Sequence, residues 1–599
     1  MVSDIGLVNL GAEASETKLT WTNTGRRGAT VPLSVTAADR HGASSRAATL
    51  SESRLSIAPG GNGVAVLRVD RAGLAPGYYA ATVTAGGAGT TLVAFEVRPP
   101  ASDLAVTMTL PADVPADVEA YASVWIVNLD DPAAFAVIHG VDRGETLRVP
   151  VPAGRYSVLG SIWQGDPFVD GRMILAGDPD VTVSGETAVV FDGAKAVPVK
   201  VAIDGVKTTA AALGISFEQS GRRGLGWSDF AYAWGERATA DTVYAVPMDE
   251  PGIGAFSAYT MAGLTAEGSF YDLIKEHERG IPADPSYTVT GADRAQLVRI
   301  DQRFHRLDSP ESSTSHKRYG LSEAGGLISE SYTDNLTGGR TDYLSPGFGW
   351  IDEAFYDGLV TQEAVRRYEP GSRHEKDWVR QPLRPDWYDD PTPALSDCTP
   401  SPISRTRGNL HVEIVPMTDQ HQRFTCFEQG IASMSLYKDG AKLGAVSGSF
   451  GDFAIPAGAG TYRLTHDVDN SGWLPVSTRV STAWTFRSTG PSGTGSVRVP
   501  LLSVDYTLPL DAQNKPAGDT AAFTVHQSQG ADRQSVTSFA FWTSVDDGAT
   551  WQPVPVVRGA GDRYTAKLPV GPAVSLRVRA EASAGSVIEQ TIIRAYRAS

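Results

Sequence analysis

Apolar and polar residues alternate along most of this chain in short runs punctuated by Gly and Pro. One phrase recurs: an apolar residue leads into Pro and Gly, and an alternating run follows. It stands as Leu74-Ala75-Pro76-Gly77-Tyr78-Tyr79, as Val151-Pro152-Ala153-Gly154-Arg155-Tyr156, as Ile455-Pro456-Ala457-Gly458 before Thr461-Tyr462-Arg463-Leu464, and as Leu568-Pro569-Val570-Gly571 before Val574-Ser575-Leu576-Arg577. Pro sets φ, Gly accepts the positive φ of a turn, and period-two alternation marks a strand with one buried face. The pattern predicts an all-β chain of tandem β-sandwiches.

Residues 1–98 carry strands such as Lys18-Leu19-Thr20-Trp21-Thr22 and Val64-Ala65-Val66-Leu67-Arg68-Val69, spaced as in an Ig or fibronectin type III-like sandwich. Arg98-Pro99-Pro100-Ala101 reads as a stiff linker. Residues 102–199 repeat the grammar and resemble the small transthyretin-like sandwiches appended to secreted enzymes. Residues 200–395 form a larger β domain rich in Trp and Tyr. Within it a strand from Gln296 to Phe304 puts Val298, Ile300, Gln302 and Phe304 on one face, and Ser269–Lys275 fits helix or strand equally. Residues 396–500, with strands at Leu410–Val415, Ala432–Tyr437 and Val480–Phe486, form a further sandwich or join 200–395 in one jelly roll. Residues 501–599 read as a last Ig-like module.

Composition narrows the function classes. A length of 599 residues and 41% hydrophobic content supply several packed cores. A net charge of −16 lacks the basic footprint that nucleic acid requires. No apolar run is long enough to span a bilayer as a helix. The N-terminal stretch has no basic leader before an apolar core, so no signal peptide is expected in it. The two cysteines, Cys398 and Cys426, are expected to form a disulfide worth about 3–4 kcal/mol in the loop-entropy model. Two buried thiols are the competing reading, and no companion ligands point to a metal there.

Candidate chemistry is thin. Ser544-Val545-Asp546-Asp547-Gly548-Ala549-Thr550-Trp551 matches the Asp-box pattern S-x-D-x-G-x-T-W, which reads as a structural turn built by Ser544, Asp546, Gly548, Thr550 and Trp551. Asp467-Val468-Asp469-Asn470 is a weak candidate for calcium, and no other cofactor is expected. His374-Glu375 lacks the second His of a zincin and reads as a solvated loop. Asp229, Glu236, Asp249 and Glu250 lie near aromatic residues, as a glycosidase cleft would require. A planar exposed row among Trp227, Trp234 and Trp350 would mark a sugar platform.

The Asp box, the strand from Val574 to Ala582, the stretch Gln590–Tyr596, the segment Ser477–Ser488 and the first module's Leu74–Ala85 together resemble the non-catalytic C-terminal region of actinobacterial secreted subtilisin-like (S8 family) serine peptidases. The resemblance covers almost the whole chain and rests on the order of its parts. It implies secretion, a subtilisin-like catalytic domain as partner in cis or in trans, and scaffolding of that enzyme or positioning of protein or peptide substrates. It does not imply peptidase activity here. The D-[ST]-G, H-G-T-H and G-T-S-M-A motifs are absent, and His41-Gly42-Ala43-Ser44 lacks the second His. No catalytic residue is expected. The alternative is a free-standing extracellular carbohydrate-binding or adhesin-like protein.

Overall fold

The computed structural model describes residues 2–3, 6–11, 13–87, 89–166, 169, 171–307, 314–336, 338–356, 358–389, 399–425 and 430–597. They fall into two compact units. The first comprises Met1–Thr107, Ile126–Val158 and Asp180–Val190, and the second Met108–Trp125, Leu159–Pro179 and Phe191–Ser599. Both are built of tandem β-sandwiches, as the alternation predicts.

In the first unit, strands Glu16–Thr22 and Asn62–Val69 pair antiparallel with Leu19 opposite Ala65. A second sheet orders Ala29–Asp39, Gly77–Ala85 and Gly89–Val97 side by side. Alternation sends Leu19, Trp21, Ala65 and Leu67 inward from one sheet, and Val31, Val83, Val93 and Phe95 inward from the other. Each strand thus buries one face and solvates the other, the arrangement of aligned sandwiches. Strand Ala101–Thr109 pairs antiparallel with Leu147–Pro152, so Ala101 at the end of the expected linker already belongs to a sheet.

The recurring Pro-Gly phrase has a different physical basis from the one its sequence implies. Of Gly77, Gly154, Gly458 and Gly571, only Gly77 has a positive φ, 149°. Gly77 opens the strand Gly77–Ala85 with a positive φ that only glycine adopts freely, whereas Gly154 opens the strand Gly154–Gln164 without one. The tyrosine that follows is the working part. The Tyr79 hydroxyl donates to the Ala75 carbonyl at 2.8 Å, and the Tyr156 hydroxyl to the Pro152 carbonyl at 2.9 Å. Each pins the strand to its incoming turn, in the manner of the tyrosine corner of Ig-like sandwiches. In the third copy the Tyr462 hydroxyl is buried without a partner. Buried Arg405 lies 5.1 Å over its ring and donates to the carbonyls of Pro456, Ala457 and Gly458 instead. Tyr79→Phe and Tyr156→Phe are each expected to cost about 1 kcal/mol. Urea unfolding measures this, and unchanged midpoints would show that the corners contribute nothing.

In the second unit, Met173–Leu175 run parallel to Val243–Ala245. A central sandwich follows. Its seven-stranded sheet runs in the order Gly226–Trp234, Thr209–Ser220, Ala255–Ala266, Ser269–His277, Gly338–Leu344, Val298–Phe304 and Arg373–Trp378. A facing sheet contains Leu327–Thr333, Ser315–Leu321, Gly349–Tyr356, Leu359–Glu363 and Arg423–Thr425. Ser269–His277 is a strand, which resolves the ambiguity of its periodicity. Val298, Ile300, Gln302 and Phe304 are the buried face of theirs. The α-helix of the described residues, Gly291–Gln296, is set by a capping box between Thr290 and Asp293.

The last sandwich takes strands from both sides of residue 500. One eight-stranded sheet orders Ala441–Ser447, Ile431–Lys438, Gly460–Asp469, Arg479–Ser488, Val587–Arg597, Ala573–Ala582, Val536–Ser544 and Gln552–Val554. The join is antiparallel, with Val480 opposite Ile592. Trp484, Leu464, Leu576 and Ile592 fill one continuous core with Val504, Phe523 and Tyr564, and the Trp484 indole donates to the Leu502 carbonyl at 2.9 Å. The expected boundary between 396–500 and 501–599 therefore falls inside one sandwich.

A candidate binding trough

The outward face of that eight-stranded sheet carries a trough of about 700 Å³. Period-two alternation builds it. On Gly460–Asp469, Tyr462, Leu464, His466 and Val468 point to the core, which leaves Arg463, Thr465 and Asp467 outside. Register then aligns these side chains across strands. One row reads Tyr437, Arg463 and Thr485. The next reads Thr465, Ala483, Glu589 and Arg579. A third reads Asp467, Ser481, Thr591, Arg577 and Trp542.

Short side chains, Thr465, Ser481, Ala483 and Thr591, make the floor. Tyr437 stands at one end and Trp542 at the other, five strand spacings apart, about 24 Å measured across the strands. Ion pairs fix the longer residues: Arg463 meets Glu589 at 2.8 Å and Arg579 meets Glu581 at 2.9 Å. The Arg577 Nε donates to Thr591 Oγ1 at 3.2 Å, and its guanidinium lies 4.1 Å over the Trp551 ring. The strands beneath are hydrogen-bonded on both sides, so the trough offers side chains to a ligand and no free backbone.

The Asp-box residues come together beside Arg577, next to this face. Ser544 Oγ donates to Asp546 Oδ1 at 2.6 Å, and Thr550 donates to the same carboxylate through its N–H at 2.9 Å and its hydroxyl at 2.6 Å. Those bonds hold the Asp546 carboxyl down at about 2. Gly548 has φ 86°, and a Cβ there would meet Ile593 Cδ1 at 2.9 Å and the Trp551 ring at 3.2 Å. The turn thus sets Trp551 beneath Arg577.

Other expected sites do not assemble. Cys398 and Cys426 lie outside the described residues. Among the described residues no three His, Cys, Asp or Glu side chains converge as a metal site. At the calcium candidate, Asp467 faces the trough, Asp469 accepts from Ser471, and Asn470 is buried and donates to the Ser477 carbonyl. His374 and Glu375 sit on strand Arg373–Trp378 rather than in a loop. His41 is exposed in a turn beside Arg40. Trp350 is in the core, and Trp234 packs edge-on against Tyr232 at 4.5 Å, so Trp227, Trp234 and Trp350 form no exposed row. Core packing takes up Trp350 and Trp234, and Trp227 lines a separate concavity.

Asp229, Glu236, Asp249 and Glu250 lie on a strand, a 3-10 turn and an exposed loop. Burial pushes the Asp229 carboxyl up to about 6. A second concavity of about 720 Å³ does contain carboxylates, from Glu218, Glu276 and Glu323. Tyr259 is the cross-strand partner of Glu276 and donates to Glu218 at 3.2 Å. The phenol thus stands between those two carboxylates. In the buried pair Ser449–His466, at 3.0 Å, the imidazole Nδ1 has no hydrogen-bond partner among the described residues, and burial pushes the imidazole down to about 3. An imidazole that acidic is a poor base at neutral pH.

The fold and this face define a multidomain β-sandwich protein with a side-chain-lined polar trough. No family model matches the chain, and no curated protein matches it. Among solved structures it is similar to the periplasmic chaperone SfaE, at 9% identity over 26% of this chain and 90% of that one, TM-score 0.14. It is also similar to the N-terminal eight Ig domains of Down Syndrome Cell Adhesion Molecule isoform 1.30.30, at 10% identity over 99% and 84%, TM-score 0.12. The pilus adhesin SpaC from Lactobacillus rhamnosus GG, in its open conformation, is similar at 9% identity over 93% and 57%, TM-score 0.09. These likenesses say nothing about what the chain binds.

Proposed function

We propose that this chain is a non-catalytic extracellular binding protein whose trough holds a saccharide chain. The observation that carries the reading is the trough itself: a groove about 24 Å across the sheet from Tyr437 to Trp542, with hydroxyl-bearing and small residues on its floor and Arg and Glu side chains along it. Sugar hydroxyls pair with such side chains, and sugar faces pack on aromatic rings. An extended peptide would instead seek main-chain partners at a sheet edge, which this face does not present.

The resemblance to C-terminal regions of secreted subtilisin-like peptidases supports a setting for this activity. Carried beside such a catalytic domain in cis or in trans, the chain would anchor the enzyme on a saccharide surface and position protein substrate there.

Affinity electrophoresis of the full chain through gels holding neutral and charged polysaccharides tests the binding. At least one is expected to retard it, and Tyr437→Ala/Trp542→Ala to abolish the retardation without moving the thermal unfolding midpoint. Retardation that survives the double variant, or none on any polysaccharide, would overturn the reading.

A further inference from the structure

From the setting of Arg577 we infer that the saccharide is acidic, with a carboxylate received by this residue. The inference rests on the trough reading and deepens it. The other arginines of the trough are already matched: Arg463 with Glu589, and Arg579 with Glu581 and, at 3.8 Å, Glu589. Arg577 pairs with no carboxylate among the described residues. Its Nε is taken by Thr591 and its face is covered by Trp551. A guanidinium stacked on a ring and held at Nε keeps its two terminal nitrogens in one plane, the geometry that receives a carboxylate through two parallel hydrogen bonds.

Trp542, the direct cross-strand partner of Arg577, lines the same trough. An aromatic face next to a fixed, unmatched cation fits a sugar ring bearing a carboxylate. The Asp box acquires a purpose here. Ser544, Asp546, Gly548 and Thr550 fix Trp551, and Trp551 orients Arg577, so the box is a positioning device for the site. Asp467 marks the far end of the same row, three strands from Arg577. It disfavours a carboxylate there and so gives the acidic sugar one place in the trough.

The test uses the full chain, titrated at physiological salt with polygalacturonate, alginate and hyaluronate and with the carboxyl-reduced, neutral form of each. At least one acidic polymer is expected to bind about tenfold or more tighter than its neutral form. Arg577→Gln is expected to erase that difference, so that the acidic and neutral forms bind alike. Asp546→Ala, which frees Trp551, is expected to lose part of the preference, with affinity for the neutral form retained. Equal binding of acidic and neutral forms, or a preference that survives Arg577→Gln, would overturn the inference and leave the trough reading standing. Failure of every polymer, acidic and neutral, would overturn both.

Discussion

Replacing Arg318 by Met is expected to remove about 3–5 kcal/mol of stability from the central sandwich. The guanidinium is fully buried between the two sheets and bonds Asp272 at 2.5 Å, Asp342 at 2.9 Å and Asp352 at 2.5 Å. Its neighbours extend the network. Lys376 joins Asp352 to Glu363, Arg340 meets Asp342 at 2.6 Å, and Gln302 bridges Asp342 to the Trp378 indole. Without Arg318, Asp342 keeps Arg340 and Asp352 keeps Lys376, but Asp272 loses its ion partner. Burial already pushes the Asp272 carboxyl up despite Arg318, so the variant strands a carboxylate that water cannot reach. Urea unfolding with amide exchange across Ser315–Leu321 and Gly349–Tyr356 measures the loss. Asp272→Asn added to Arg318→Met is expected to return part of it, because the stranded charge goes too. A loss below about 1 kcal/mol would mean that the network behaves as an exposed one.

Acid is expected to weaken the fold well before the ordinary carboxylates titrate. Burial pushes His316 down to about 4, although Asp352 beside it favours the charged form, and pushes His466 down to about 3. Both titrate near 6.5 in the unfolded chain. Between that value and the folded one, the unfolded chain binds a proton that the native protein refuses. Stability therefore falls as pH drops below about 6.5, by about 3 kcal/mol for His316, complete near pH 4, and about 5 kcal/mol for His466, complete near pH 3. His421 acts in the opposite sense. Burial opposes its charge, but Asp386 and Asp505 outweigh that and raise it, so its contribution is lost as pH climbs above 6.5. Asp229, pushed up to about 6 by burial, takes its proton first in the folded state and offsets about 2 kcal/mol of this fall by pH 4.5. The two histidines outweigh it, so urea midpoints should peak near neutrality and be lower at pH 4.5. His466→Gln should flatten the acid limb. A flat profile from pH 7.5 to 4.5 would contradict this.

The strands were legible because each writes its own alternation: Val298–Phe304 shows its buried face directly, Gln302 included. The Asp-box turn was legible because its residues bond within one short segment. Other features needed three dimensions. Arg318 and Asp352 look like ordinary outward charges on alternating strands, and only the facing sheet shows that they are buried and paired. The helix Gly291–Gln296 is short and without a buried residue, so no apolar period announces it. Trp350 and Trp234 carry no local mark of which sheet face they occupy. The trough residues do sit at outward positions of readable strands, Arg463-x-Thr465-x-Asp467 and Arg577-x-Arg579. Their adjacency depends on Arg479–Ser488 pairing with Val587–Arg597, a join between distant segments that no local pattern records.

Titration calorimetry of the full chain with a polysaccharide that retards it, repeated with Tyr437→Ala/Trp542→Ala, tests the assignment of the trough most directly. The account predicts saturable binding by the parent chain and none by the variant, with identical unfolding midpoints. Equal binding by the two proteins would place the saccharide elsewhere and contradict it.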